Sequence, residues 1–345
     1  MASPEFKSPR GSLEGVNKAA SQPASKTNPY IFALGIVGAA IGTMGLMFAL
    51  IINITPIIWP YVSGIQASNL ETTQSSGPNF TLPVPCHSHN DYWRPMPFYS
   101  ALNVGCIGIE ADVWAVQNEL YVGHDLGGLS TDRTLTSMYI RPLMELLQSR
   151  NLNRDPNLPP LGAYGRKPDL TMVLLVDLKS NPNTSWPLLL ERLEPLRQKG
   201  WLSHVKNGKF VSRPVTVVGT GDTELRLVNE ETPLRDVFFD APLDQLGEGL
   251  YDSLNSYYTS VSFGKSIGKV SSRGLKPEQL EKLRGQISLA HQQGLKARYW
   301  GMPYWPLQVR DQLRYILIDE GVDVLNADDL LEAREIFAKR GHLIE

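Results

Sequence analysis

From Leu82 to the C-terminus, short apolar runs alternate with longer stretches of helical period, and this alternation restricts the fold more than any other feature. The runs are "PVPCHS" (83–88), "CIGIEADVW" (106–114), "TMVLLVDLK" (171–179), "PVTVVGTG" (214–221), "VFFDAPL" (237–243), "YYTSVSF" (257–263), "KARYW" (296–300) and "VDVLNAD" (322–328). Between them lie helical patterns such as "MYIRPLMELLQSR", "SWPLLLERLEPLRQKG" and "KPEQLEKLRGQISLAHQQG", several ending in the Gly expected at a helix stop. Strand followed by helix, repeated, predicts βαβ units and a parallel sheet. Eight such strands in about 260 residues predict an α/β fold of the (β/α)8 TIM-barrel type, with an open doubly wound sheet as the alternative.

The first 82 residues read differently. Residues 1–28 are rich in Ser, Pro, Lys and Ala and predict a disordered cytosolic tail. Residues 29–59 predict a transmembrane signal-anchor helix, because "YIFALGIVGAAIGTMGLMFALII" (30–52) is uncharged and long enough to cross a bilayer. Residues 60–82 are Ser/Thr/Gly-rich and predict a linker, leaving 83–345 as the barrel. Lys7, Arg10, Lys18 and Lys26 precede the apolar stretch, and no Lys or Arg follows it until Arg94. The positive-inside rule then leaves the N-terminus in the cytosol and the body lumenal or extracellular. Sequons at Asn79 and Asn183 agree with that side; a mitochondrial membrane is the alternative, although the leader is not an Arg-rich transit peptide. Net charge is -2, which argues against a nucleic-acid partner. The two cysteines, Cys86 and Cys106, read first as buried free thiols, with one disulfide as the alternative outside the cytosol.

Chemistry in such a barrel gathers at the C-terminal strand ends. The second strand ends in Glu110-Ala111-Asp112, and residues two apart point to one face. Two carboxylates buried together repel, and neither Lys nor Arg lies near in sequence, so a divalent cation is the economical partner. Asp177, closing "TMVLLVDLK", supplies a third ligand, and an all-oxygen set suits Mg²⁺, with Ca²⁺ as the alternative. His87 at the end of the first strand and His124 in "LYVGHD" offer two imidazoles flanking that metal, one to activate a nucleophile and one to protonate a leaving oxygen. Lys179, on the face of Asp177, is positioned for a phosphate oxygen. His89, two residues after His87, takes a supporting or substrate-side role. Arg298 and Trp300 alternate onto one face at the end of "KARYW" and are candidates for the substrate side.

These motifs resemble the phospholipase-C-like phosphodiesterase superfamily. The succession of His, "IEADV", "VGHD" and "LLVDLK" is similar to that of glycerophosphodiester phosphodiesterases and of venom phospholipases D (sphingomyelinase D). The stretch "HSHNDYWRPMPFYSALNVGCIGIEADVW" and the ending "RYWGMP…GVDVLNADDL" look closer still to the fungal altered inheritance of mitochondria protein 6 family. The resemblance covers about Leu82 to Leu330. It implies a barrel that hydrolyses a phosphodiester, with His87 and His124 as the acid–base pair. It also implies Mg²⁺ or Ca²⁺ on Glu110, Asp112 and Asp177, Lys179 on the substrate phosphate, and a phospholipid or related diester as substrate. The chain departs from the glycerophosphodiesterases in having His-Ser-His where they have His-Arg-Gly. Two rival readings stand beside this one. The His-x-His pair could bind metal directly, as in amidohydrolases and related phosphoesterases, or the body could be a membrane-tethered lipid-binding module without catalysis.

Overall fold

The computed structural model describes residues 81–230 and 235–344. The expected tail, anchor and most of the linker lie outside that range. Among the described residues no helix is long and apolar enough to cross a membrane.

Among the described residues, eleven strands follow in chain order: β1 (Val84–Ser88), β2 (Cys106–Val116), β3 (Glu119–Val122), β4 (Met172–Leu178), β5 (His204–Lys206), β6 (Lys209–Val211), β7 (Val215–Gly221), β8 (Val237–Pro242), β9 (Ser256–Ser262), β10 (Lys296–Trp300) and β11 (Val324–Ala327). The large sheet runs β1-β11-β10-β9-β8-β7-β4-β2-β3, and β1 also pairs with β2. That last pairing closes eight parallel strands into a barrel and excludes the open sheet. β3 stands outside the ring, turned back antiparallel on β2. The β5–β6 hairpin was not anticipated; its Phe210 packs on Phe238 and Tyr257, near the starts of β8 and β9. Helices such as Arg141–Asn151, Pro182–Arg192, Pro277–Gln292 and Leu307–Asp319 connect the strands, and Leu330–Arg340 follows the last of them.

Strand alternation divides the apolar residues into two clusters. The larger lies between strands and helices. The smaller comprises Val173, Leu175, Val218, Tyr258 and Val324, contributed by β4, β7, β9 and β11, and fills the barrel axis. Two residues further along the same strands come Asp177, Thr220, Ser260 and Asn326. Because side chains i and i+2 share a face, the interior changes from an apolar plug to a polar layer toward the strand ends. That layer is where the candidate site forms.

Cys86 and Cys106 are disulfide-bonded, with Cα atoms 4.7 Å apart. The expectation of buried free thiols is therefore corrected. The separation of 20 residues was uninformative until β1 and β2 became neighbours.

Candidate active site

Glu110 and Asp112 sit near the middle of the long strand β2, and the β2–β4 register sets Asp112 against Asp177. One carboxylate oxygen from each of Glu110, Asp112 and Asp177 lies within 4.8 Å of the others. Glu110 and Asp112 are buried, and Asp177 is partly so. Burial raises the pKa of Asp112, and Glu110 adds to the rise. Asp177 is raised by burial too, with Asp112 adding to it. Asp177 does not cap the following helix. That helix starts at Pro182, earlier than its apolar pattern suggests, and Asn181 caps it by accepting from the Asn183 N–H.

The expected lack of cations around these carboxylates is overturned. Lys179 Nζ lies 2.6 Å from Asp177 Oδ2 and 3.3 Å from Asp112 Oδ2. Arg298, from the other side of the ring, reaches Glu110 Oε2 at 3.2 Å and Asp240 at 3.9 Å. It also donates to Asn326 Oδ1 at 2.8 Å. With 3% exposure, its guanidinium is committed to the protein, so Arg298 is not on the substrate side as the sequence suggested. Asp240, on β8, was missed because "VFFDAPL" offered nothing to set it apart. Four carboxylates (Glu110, Asp112, Asp177, Asp240) thus meet two cations (Lys179, Arg298), an excess of two negative charges.

The donor set fits a divalent cation on that count. Three carboxylates converge, and Asp177 Oδ1 is buried without a hydrogen-bond partner. The all-oxygen chemistry suits Mg²⁺ or Ca²⁺ better than a softer metal. Among the described residues no histidine joins a metal-ligating group, which disfavours the His-x-His metal reading.

The two histidines of "HSH" part company. His87 is fully enclosed, with its ring edge-on to Tyr258 and Nε2 3.8 Å from Glu110. Its ring fits because position 108, its register partner on β2, is glycine: a Cβ there would lie 2.2 Å from His87 Nδ1. Burial first, then Arg298 and His89, push its pKa well below the ordinary range, so it is neutral. Enclosure contradicts the expectation that His87 meets substrate. His89, just beyond β1, is partly exposed and bonds Asp328 Oδ1 through Nδ1 at 2.7 Å. Burial works to lower its pKa, but the Asp328 hydrogen bond and the charges of Glu110 and Asp328 outweigh it, and the net shift is upward.

His124 lies in the turn after β3, largely exposed, with Nδ1 3.4 Å from Asp112 Oδ2 and its ring against Trp93. Tyr92 joins the two: its hydroxyl is 2.9 Å from Asp112 Oδ2, 3.3 Å from His124 Nδ1 and 3.0 Å from Asn90 Oδ1. Burial and then Asp112 raise its pKa, so it stays protonated and can donate. It stood in plain view in "HSHNDYW", but nothing local showed that its hydroxyl would reach Asp112 on β2. Asp91 closes the same loop by accepting from Ser88 and from the Phe98 N–H. Arg94 ties that loop to the end of β11 through the carbonyls of Ala327 and Asp328. Trp300 is half-exposed at the end of β10.

Gly221 gives a direct test of this packing. Its φ is +66°, and a Cβ there would lie 1.9 Å from Asp177 Oδ1. Gly221→Ala is expected to cost about 1–3 kcal/mol by overpacking and to weaken Mg²⁺ binding by displacing Asp177. Urea unfolding and calorimetric titration would measure both; unchanged values would show that Asp177 does not depend on that cradle.

A family model described as AIM6-like phosphodiesterase domain matches residues 79–240. Altered inheritance of mitochondria protein 6 homolog of Arthroderma benhamiae is 40% identical over 268 residues, spanning 74% of this chain and 84% of that one. The Eremothecium gossypii protein of that name is 35% identical over 291 residues, covering 77% and 74%. A glycerophosphodiester phosphodiesterase from Parabacteroides distasonis superposes with a TM-score of 0.42 at 13% identity, over 76% of this chain and 99% of that one. Identity at this level over most of both sequences settles descent: the chain belongs to the altered inheritance of mitochondria protein 6 family.

Proposed function

We propose that the chain is a metal-dependent phosphoric diester hydrolase acting on a lipid-derived or glycerol-type phosphodiester. The observation that carries this reading is the convergence of Glu110, Asp112 and Asp177 at the barrel mouth, with His89 and His124 accessible nearby. The three carboxylates would hold Mg²⁺ or Ca²⁺, which would neutralise charge developing on the phosphate. Asp328 fixes His89 Nδ1 and leaves Nε2 to take or give a proton. His124, positioned by Asp112 and Tyr92, supplies the second proton transfer on the opposite oxygen. Lys179 presents an ammonium to a phosphate oxygen from beside Asp112 and Asp177. His87 is left as a buried neighbour of Glu110.

The disulfide between Cys86 and Cys106 supports a body outside the reducing cytosol, in line with the orientation expected from the flanking charges.

One observation favours a second reading, a binding module that needs no metal: Lys179 already bridges Asp112 and Asp177. A panel of lysophospholipids, sphingomyelin, glycerophosphodiesters and phosphoinositides, followed by ³¹P NMR with and without Mg²⁺ or Ca²⁺, separates the two. Turnover that EDTA abolishes is expected, along with a rise in Tm of about 5 °C at saturating cation. A full panel without turnover, and a Tm blind to both cations, would leave the binding module standing.

A further inference from the structure

We propose that one arc of the barrel rim seats on the interfacial layer of a phospholipid bilayer, so that the site takes its phosphodiester from headgroups in that layer. The seating stands on the surface itself; the identity of what enters the site rests on the hydrolase reading above.

Twelve large apolar side chains are exposed among the described residues, and they are not scattered. Nine lie on one side of the barrel: Trp300 is the last residue of β10, and the other eight lie in the segments that leave the C-terminal ends of β10, β11, β1 and the β2–β3 hairpin or in the first helical turn after them. The other three, Leu152, Leu158 and Leu250, lie in segments returning toward the starts of β4 and β9. β10, β11, β1 and β2 are successive neighbours around the barrel, so the nine occupy one continuous arc beside the site. Trp93 shows the continuity directly: it is 62% exposed, yet its ring lies 5.2 Å from that of His124.

The residue types select the occupant. Tyr304 is 84% exposed and Trp305 68%, and Trp300 and Leu126 join them on the arc. Exposed apolar side chains gathered on one arc, and not scattered singly, mark an interaction surface. Trp and Tyr, with an apolar body and a polar edge, are the side chains that settle at headgroup level. The membrane span expected from the sequence names the same occupant. The uncharged stretch 30–52 of the same chain has the length of a membrane span. The 28 residues from 53 to 80 allow a reach of up to about 90 Å between that stretch and the barrel.

The test uses the full-length chain in phosphatidylcholine vesicles, with acyl chains either plain or brominated, and reads tryptophan quenching. Wild type is expected to lose more emission in brominated vesicles than Trp305→Phe, which identifies Trp305 as a lipid contact. Tyr304→Ser combined with Leu307→Ser, keeping Trp305, should cut the Trp305 component by about half, since interfacial binding scales with buried apolar area. Leu158→Ser, away from the arc, should change nothing. Equal quenching in wild type and Trp305→Phe would overturn the proposal. So would a Trp305 emission that responds to protein density and not to bromine, the signature of a second copy on the arc. No turnover enters the readout, and EDTA should leave it unchanged, so a failed hydrolase assay and a failed membrane contact are separate results.

Discussion

Replacing Arg298 with leucine is expected to cost about 3–5 kcal/mol of stability, the range for removing one partner of a buried ion pair. Arg298 and Glu110 are 3% and 6% exposed, and Arg298 also reaches Asp240 and Asn326. Its loss would leave the mouth with four carboxylates and Lys179 alone, an excess of three negative charges where the native layer has two. Burial without compensation, not the lost contact itself, is the destabilising effect. Two controls follow from this. Adding Glu110→Gln to Arg298→Leu should restore much of the loss, because the stranded charge is then gone. Millimolar Mg²⁺ should stabilise Arg298→Leu as well as the wild type, since the carboxylates that would hold it remain. Urea unfolding measures all three proteins. A loss below about 1 kcal/mol, typical of an exposed pair, would mean that Glu110 is already compensated by something else.

Much of this arrangement was legible in the sequence, and the parts that were not share a cause. Glu110, Asp112 and Asp177 came together as expected, since strand parity is a local property, although β2 runs on to Val116 and its two carboxylates lie near its middle and not at its end. Arg298 and Glu110 are 188 residues apart, so no window on the sequence could show the guanidinium answering the carboxylate. Asp328, the partner of His89, lies 239 residues from it and was invisible for the same reason. His87 and His89 share a parity, but parity gives the face and not the depth. Depth was decided by Gly108, whose missing side chain opens the space His87 fills. The disulfide likewise needed the β1–β2 pairing before two cysteines 20 residues apart became a pair.

The depth of the two histidines leads to an expected kinetic result. His89→Ala should lower kcat/KM by about 10²–10⁴-fold, the range for loss of a general acid or base. His87→Leu should leave activity within about tenfold and cost under about 1.5 kcal/mol, because neither ring nitrogen has a partner to abandon and the volumes are similar. Asp328→Asn distinguishes positioning from mere packing through pH. Native His89 has a raised pKa, for which the Asp328 hydrogen bond is the largest raising cause. If His89 must be neutral to take a proton, the acid limb of kcat/KM lies above the ordinary imidazole range in the native protein. In Asp328→Asn that limb should move to lower pH. The stability linkage has a definite sign too. Because folding raises the pKa of His89, its ion pair stabilises the native state fully below the unfolded value. That contribution is lost as pH rises through the native one. Asp328→Asn should therefore be most destabilising in mildly acidic buffer and less so above neutrality. If His87→Leu is the inactive protein and His89→Ala turns over normally, the acid–base role returns to His87, and the barrel must open further than this structure shows to let substrate reach it.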